Sequence, residues 1–403
     1  MHTFFKGRAY SVGDGFCYEG IIKNHDNNYH FVIDCGSQSP YHDEQKKGKL
    51  KNTTESTERL QEITDEIKRN GKINLFILTH LHKDHYNGIN YLFDKEIPDT
   101  IIMPYLYPEE RMCLISDDTY DEYDEFLARP YYEILELAEK RGKTVELILV
   151  RGNNYREGRI DSESSSADEI TSWGEEYEDE REIISDIEGL GSSRVKVVRA
   201  ESRGVEILDH IWKFKFFNIE ADKDGVTALR EKYGKLTTTE LCEIIKEPNK
   251  LKELRKRYDA FFGEKYLNNT SVVVYHAPVD NFKRCGTLIT GDISLKHSIA
   301  DELLKYYYNE LKLIGLFSMP HHGSNENWNI KFIAHNDFNG VVSFASTHNY
   351  YSNRLDEAMM ADLRNHDIYT LVVDENRFNE FVHYICCNCF IIKHTILKCI
   401  KIQ

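Results

Sequence analysis

Three histidines and one carboxylate fall within six positions of this chain, in Thr79-His80-Leu81-His82-Lys83-Asp84-His85-Tyr86, directly after the apolar run Ile73-Asn74-Leu75-Phe76-Ile77-Leu78. Neutral imidazole is a strong ligand for zinc and also serves manganese and iron, and a carboxylate adds charge and hardness. In an extended segment, residues two apart point the same way, so His80 and His82 can converge on one ion. Asp84 and His85 follow as the chain leaves the strand and can address a second. Two ions so placed activate a water and clamp the attacking and leaving oxygens of a displacement. A histidine-rich surface turn is the plain alternative, and it explains one histidine better than it explains this run. The helical His-Glu-x-x-His arrangement of metalloproteases does not apply, because the required Glu is missing and the spacing is not helical.

Other segments end in the same way, with an apolar run that gives out onto polar residues. His30-Phe31-Val32-Ile33-Asp34-Cys35-Gly36 reads as a strand closing into a tight turn. Gly286-Thr287-Leu288-Ile289-Thr290-Gly291-Asp292 leads apolar residues into a glycine and then a carboxylate. Phe317-Ser318-Met319-Pro320-His321-His322-Gly323-Ser324 carries two adjacent histidines.

His-x-His-x-Asp-His after a strand resembles the metallo-β-lactamase superfamily. Ser11-Val12-Gly13-Asp14-Gly15-Phe16-Cys17, Asn268-Asn269-Thr270-Ser271, Leu288-Ile289-Thr290-Gly291-Asp292 and Pro320-His321-His322-Gly323-Ser324 are similar to the branch that contains ComEC-type hydrolase domains. The resemblance implies an α/β fold, a four-layer αββα sandwich with a dinuclear metal site at one edge. It implies that Asp292 bridges two divalent ions, zinc or manganese ahead of iron. His80 and His82 would hold one ion, and Asp84, His85 and His322 the other. Asp34 would support the metal loop by hydrogen bonding, as carboxylates behind ligand histidines do. His322 is favoured over His321 as ligand, which leaves His321 for substrate or supporting work. His276 is a candidate third histidine for the first ion and is equally readable as a strand-end residue. Ser324 and His348 are candidates for contact with bound substrate. Asp84 and Asp292 are the expected catalytic carboxylates, with a hydroxide held between the ions as nucleophile.

The chain departs from the branch pattern in three places. It begins Gly13-Asp14-Gly15-Phe16-Cys17 rather than Gly-x-Gly-Asp. Asp84-His85-Tyr86-Asn87-Gly88 replaces Asp-His-x-Gly-Gly. The last motif becomes Asn349-Tyr350-Tyr351-Ser352-Asn353-Arg354 and lacks its histidine.

The elements that must hold these residues are spread over 403 residues with 41% hydrophobic and 12% aromatic content, enough for a large core. A single domain spanning 1–403 is expected, with an insertion over about 105–265 between the two halves of the metal site. The spacing predicts a helix over Glu55–Asn70, because Leu60, Ile63 and Ile67 fall three and four apart. Part of Pro108–Glu139 reads as helical, as does Thr237–Phe262, which includes the basic run Lys250–Arg257. That run reads more readily as a solvated helix face than as a cradle for a polyanion. Leu147–Val150, Val195–Val198 and the alternating Trp212–Phe216 read as strands. Residues 161–188 hold twelve acidic residues and one basic residue and read as a solvated loop, with protein-partner docking as a further use.

The start of the chain lacks the apolar core of a signal peptide, and no apolar stretch reaches membrane-spanning length. The nine cysteines then read as free thiols in a reducing cytoplasm, and Tyr384–Ile392, with Cys386, Cys387 and Cys389, as a buried terminal strand. A net charge of −16 weighs against broad nucleic-acid binding, although metal ions attract phosphate whatever the global charge. The leading expectation is a cytoplasmic phosphodiesterase or nuclease acting on a phosphodiester, including nucleic acid, without a membrane. A hydrolase of small esters, lactones or thioesters is the first alternative, and a partner-binding subunit of a larger complex the second.

Overall fold

The computed structural model describes residues 3–25, 27–37, 53–115, 122–152, 194–199, 204–208, 210–219, 223–258, 270–280, 284–296, 298–338, 340–347, 354–374, 380–386 and 391–396. The acidic segment 161–188, His348 and Cys387, Cys389 and Cys399 lie outside the described residues.

Two sheets form the centre. The first takes β1 (Thr3–Ala9), β2 (Cys17–Asn24), β3 (Asn27–Cys35), β4 (Leu75–Ile77), β5 (Thr100–Pro104), β6 (Glu146–Arg151) and β7 (Arg194–Arg199). The second takes β8 (Val205–Ile207), β9 (Trp212–Phe217), β10 (Val273–Pro278), β11 (Gly286–Ile289), β12 (Ile314–Ser318), β13 (Val342–Ser346) and β14 (Tyr369–Val373). The chain then returns to the first sheet with β15 (Phe381–Cys386) and β16 (Ile391–Ile396). The strand orders are β16-β15-β1-β2-β3-β4-β5-β6-β7 and β14-β13-β12-β11-β10-β9-β8. Pairing is parallel from β3 through β7 and from β11 through β14, and antiparallel elsewhere.

The layer order follows from which way alternate side chains point. Along β6, Leu147 and Leu149 join the core beneath the helices, while Ile148 and Val150 join the core between the sheets. Ile101 and Met103 alternate with Ile102 in the same way on β5. On the second sheet, Val272 and Val274 face the first sheet, and Val273 and Tyr275 face the opposite helices. Strands covered on both faces read as continuous apolar runs, as these do. The β9 sequence Trp212-Lys213-Phe214-Lys215-Phe216 alternates instead. Its three aromatics enter the inter-sheet core, while Lys215 pairs with Glu310 at 3.0 Å.

One outer layer includes the helices Thr53–Arg69, Pro108–Leu114, Pro130–Lys140, Lys223–Tyr233, Thr238–Ile244 and Pro248–Tyr258. The other includes Ile299–Tyr306 and Glu357–Asn365. The architecture is therefore helix, sheet, sheet, helix, the αββα sandwich that the resemblance implied.

Three expectations gain detail. The helical pattern that begins at Thr237 is carried by two helices, Thr238–Ile244 and Pro248–Tyr258. Thr237 and Glu240 form a capping box at the start of the first, and Pro248 opens the second, where its missing N–H costs nothing. The 105–265 stretch supplies helices to the outer layer and also β6 and β7 to one sheet and β8 and β9 to the other. The terminal segment is an antiparallel pair, β15 with β16, rather than one strand. Among the described residues, no helix is long and apolar enough to cross a membrane.

Candidate metal centre

Asp34, the 79–85 run, Asp292 and the 321–322 pair sit at or just past the carboxyl ends of parallel strands, where the loops of an open α/β sheet converge. Asp34 ends β3, the 79–85 loop follows β4, Asp292 follows β11, and His321 and His322 follow β12. The two sheets are tied at this edge by Val272 N, which donates to Thr79 O at 2.8 Å.

Two groups of ligand-type side chains form there. Asp84, His85, Asp292 and His322 make one, and His80, His82 and Asp292 the other, with the ligand atoms of each group within 4.8 Å of one another. Asp292 belongs to both. His85 Nε2 lies 3.2 Å from Asp292 Oδ1, and His322 Nε2 lies 3.4 Å from that same oxygen and 3.1 Å from Asp84 Oδ2. In the second group, His80 Nε2 and His82 Nδ1 are 2.8 Å apart.

The ligand atoms are aimed by the far side of each ring. Asp34, fully buried, accepts from Thr79 N at 2.6 Å, from Thr79 Oγ1 at 2.5 Å and from His85 Nδ1 at 2.8 Å. This leaves His85 Nε2 turned toward Asp292. His322 Nδ1 donates to Ser346 O at 3.0 Å, and Ser271 Oγ meets His80 Nδ1 at 3.2 Å. Such outer contacts fix the ring and its tautomer.

The backbone is strained here. His321 and His322 have φ values of 46° and 55°, and Asp34 has 54°, all in the left-handed region. Each such residue costs on the order of 1 kcal/mol or more and persists because its surroundings over-determine it. At the 321–322 turn, His321 N donates to Gly291 O at 3.0 Å and Ser324 N to His321 O at 2.9 Å. At Gly291 (φ 57°), a Cβ would lie 3.0 Å from Thr79 Oγ1, so glycine lets the Asp292 turn close against the histidine loop.

The electrostatics are those of a cation site. Burial drives the His80 ring well below its usual range, reinforced by His82, and burial likewise lowers His82. Both therefore present neutral imidazoles. Burial also acts to lower His85 and His322, but Asp292 and the neighbouring carboxylates outweigh it and raise both. Burial would raise Asp84 and Asp292, yet the adjacent histidines hold both below the usual carboxylate range. Without a metal ion, these carboxylates collect protons on the imidazoles beside them, and a divalent cation can replace that positive charge. The buried atoms His85 Nε2 and Asp292 Oδ1 have no hydrogen-bond partner among the described residues, although they lie side by side. A divalent ion taking the place of the His85 proton would be shared by both atoms. The donor set therefore fits the two divalent ions that the sequence implied.

The other expected residues divide. His321 lies beside the cluster, with Nε2 at 3.7 Å from Asp292 Oδ2 and Nδ1 accepting from Asn327 Nδ2 at 2.6 Å. It is more exposed than His322 and belongs to neither ligand group. Ser324 is buried in the same turn, outside both groups. His276 is not brought to the site. Its ring sits in the inter-sheet core among Phe5, Tyr18, Phe31, Trp212 and Phe214, at centroid distances of 5.1–6.0 Å. Strand parity explains this, because β10 points His276 inward rather than off its end.

Two residues at the site carried no individual role in the sequence reading. Asp14, 1% exposed, pairs through Oδ2 with an Arg354 guanidinium nitrogen at 3.1 Å. Both stand where the chain departs from the branch pattern, which was the available signal. The helix Glu122–Ala128 lies against the metal loop. Phe126 stacks on Tyr86 at 4.2 Å, and Lys83 Nζ sits 3.8 Å above the Tyr123 ring.

No family profile matches the chain, and no curated protein matches it. Among solved structures, it is similar to unliganded yeast PDE1, at 10% identity over 92% of this chain and 97% of that one, with a TM-score of 0.41. It is also similar to the metallo-β-lactamase fold protein YhfI from Bacillus subtilis, at 8% identity over 95% and 100% of the two chains, with a TM-score of 0.37. Human tRNase Z, short form, overlaps at 12% identity over 78% and 77%, with a TM-score of 0.29. Overlaps this loose carry no functional argument, which rests on the site itself.

Proposed function

We propose that this chain is a metal-dependent hydrolase of the metallo-β-lactamase type that cleaves phosphodiesters and acts in the cytoplasm, with nucleic acid among its substrates. The observation that carries the reading is one buried carboxylate, Asp292, shared by two ligand groups that the fold collects from three strand ends. When bound, two divalent ions, zinc or manganese, would lower the pKa of a water and polarise the bond under attack.

The chain's own residues supply the rest. His80, His82 and Asp292 would hold one ion, and Asp84, His85, His322 and Asp292 the other. Asp34 keeps His85 in the tautomer whose Nε2 faces the site. Asp84 is placed to take the proton of the attacking water and return it to the leaving oxygen. His82 and His321 are partly exposed and line the open side, where substrate enters.

A second reading, hydrolysis of small esters, lactones or thioesters on this site, is favoured by the net charge of −16. The His321-His322-Gly323-Ser324 context favours the phosphodiester. A protein partner docking on the acidic segment 161–188 is compatible with either.

The deciding test is cleavage of single- and double-stranded DNA with added Mn²⁺ or Zn²⁺, wild type beside Asp84→Ala. Cleavage by wild type alone establishes a metallonuclease. Cleavage by neither removes DNA as substrate and turns the test to bis(p-nitrophenyl) phosphate and neutral esters.

A further inference from the structure

The turn that carries the two histidines is stitched to a second segment. Leu355 N donates to Gly323 O at 2.9 Å, and Ser324 and Arg354 form an isolated antiparallel bridge. The bridge brings the Arg354 side chain alongside the site, where one guanidinium nitrogen donates to His321 O at 3.3 Å and the other lies 3.1 Å from Asp14 Oδ2. The anchor beneath it is firm. Thr347 Oγ1 donates to the other Asp14 oxygen at 3.4 Å, and Ser346 Oγ donates to Gly13 O at 3.0 Å. Ser346 O is also the group that orients His322. The arginine and the ligand histidine are thus held by the same strand end.

A guanidinium carries five N–H donors in a planar fork, and two contacts on fixed partners set the direction of that plane. The Arg354 side chain is 14% exposed and that of its neighbour His321 26% exposed, so both stand on the open side of the cluster.

We propose that Arg354 is the anion-anchoring residue of this site: its guanidinium binds a non-bridging phosphoryl oxygen of the substrate and selects anionic phosphodiesters over neutral esters. This rests on the phosphodiesterase reading above. The rival role is structural, with Arg354 serving only to neutralise the buried Asp14.

The experiment uses the full chain loaded with Mn²⁺ or Zn²⁺, as wild type, Arg354→Gln and Arg354→Lys. Inorganic phosphate binding is measured by calorimetry, hydrolysis of bis(p-nitrophenyl) phosphate and p-nitrophenyl acetate by kinetics, and metal content and Tm on each variant. For Arg354→Gln we expect phosphate binding weakened about 10- to 100-fold, the size of one charge-assisted contact. The loss for the diester should lie mainly in KM, with the diester-to-ester ratio of kcat/KM down about tenfold. Arg354→Lys should recover part of both. Unchanged phosphate affinity in Arg354→Gln overturns the proposal. So does a Tm or metal loss in both variants that lowers diester and ester hydrolysis equally, which is the structural role. If wild type fails to cleave the diester but binds phosphate through Arg354, the phosphodiesterase reading falls and the anion anchor stands.

Discussion

The protein buries histidines in two settings that differ in everything except burial. At the sheet edge, His80, His85 and His322 stand beside Asp84 and Asp292, and each ring has a polar partner on its far side. In the inter-sheet core, His276 is equally buried, but its neighbours are aromatic rings, and neither ring nitrogen has a partner among the described residues. Burial pushes His276 down to about 3, with nothing opposing it. His85 and His322 are driven upward by carboxylates despite the same burial. Desolvation alone therefore says little about function. A fixed tautomer, a facing carboxylate and a strand-end position are what set the candidate ligands apart from His276.

The comparison breaks most readily at its shared carboxylate. Asp292→Ala removes a donor from both groups, so metal content measured by mass spectrometry should fall for both ions. Hydrolysis should drop on the order of 10³-fold or more, by analogy with the loss of a group that stabilises the transition state. Retention of two ions per chain in that variant would refute the bridging role.

Next in size is the outer contact. Asp34→Ala leaves every proposed ligand in place but releases His85 and Thr79. Metal affinity by competitive chelator titration should weaken about 10- to 100-fold. An unchanged affinity would show that packing alone aims the His85 ring.

The smallest effect separates the two histidine environments by pH. The His276 ring titrates near 3 in the folded protein and near 6.5 when unfolded. Below pH 6.5 the unfolded chain takes up a proton that the folded chain does not. The residue therefore costs stability as pH falls from 6.5 toward 3 and contributes no slope above 6.5. The cost is about 1.4 kcal/mol per pH unit, or roughly 2 kcal/mol between pH 6.5 and 5. Other titratable groups add their own pH dependence, so the readout is the difference between wild type and His276→Leu in denaturant unfolding at pH 7 and pH 5. The variant should lose that increment of acid sensitivity while keeping its metal content. Parallel pH profiles would mean that His276 already finds a proton partner in the core.

In the basic run Lys250–Arg257 the apolar and charged residues divide between core and solvent. Leu251 packs into the core beneath the outer helices, and Lys250, Lys252 and Lys256 stay in solvent, as a solvated helix face requires.

What the sequence determined by itself is the set of strand ends and the chemistry placed on them. Asp34, the 80–85 cluster, Asp292 and the 321–322 pair each follow an apolar run, and a run that stops at polar residues must bring them to a sheet edge. The four-layer order came from the family resemblance, and the continuous apolar runs of the central strands agree with a sheet covered on both faces.

Tertiary structure alone decided which strand ends meet, since no local pattern specifies the order in which β4, β11 and β12 lie in two sheets. It sent His276 into an aromatic core and His322 to the edge, a choice set by strand parity and sheet packing rather than by residue type. It also seated Arg354 on Asp14 beside His321, a contact between distant segments that exists only because both sheets close around the same edge.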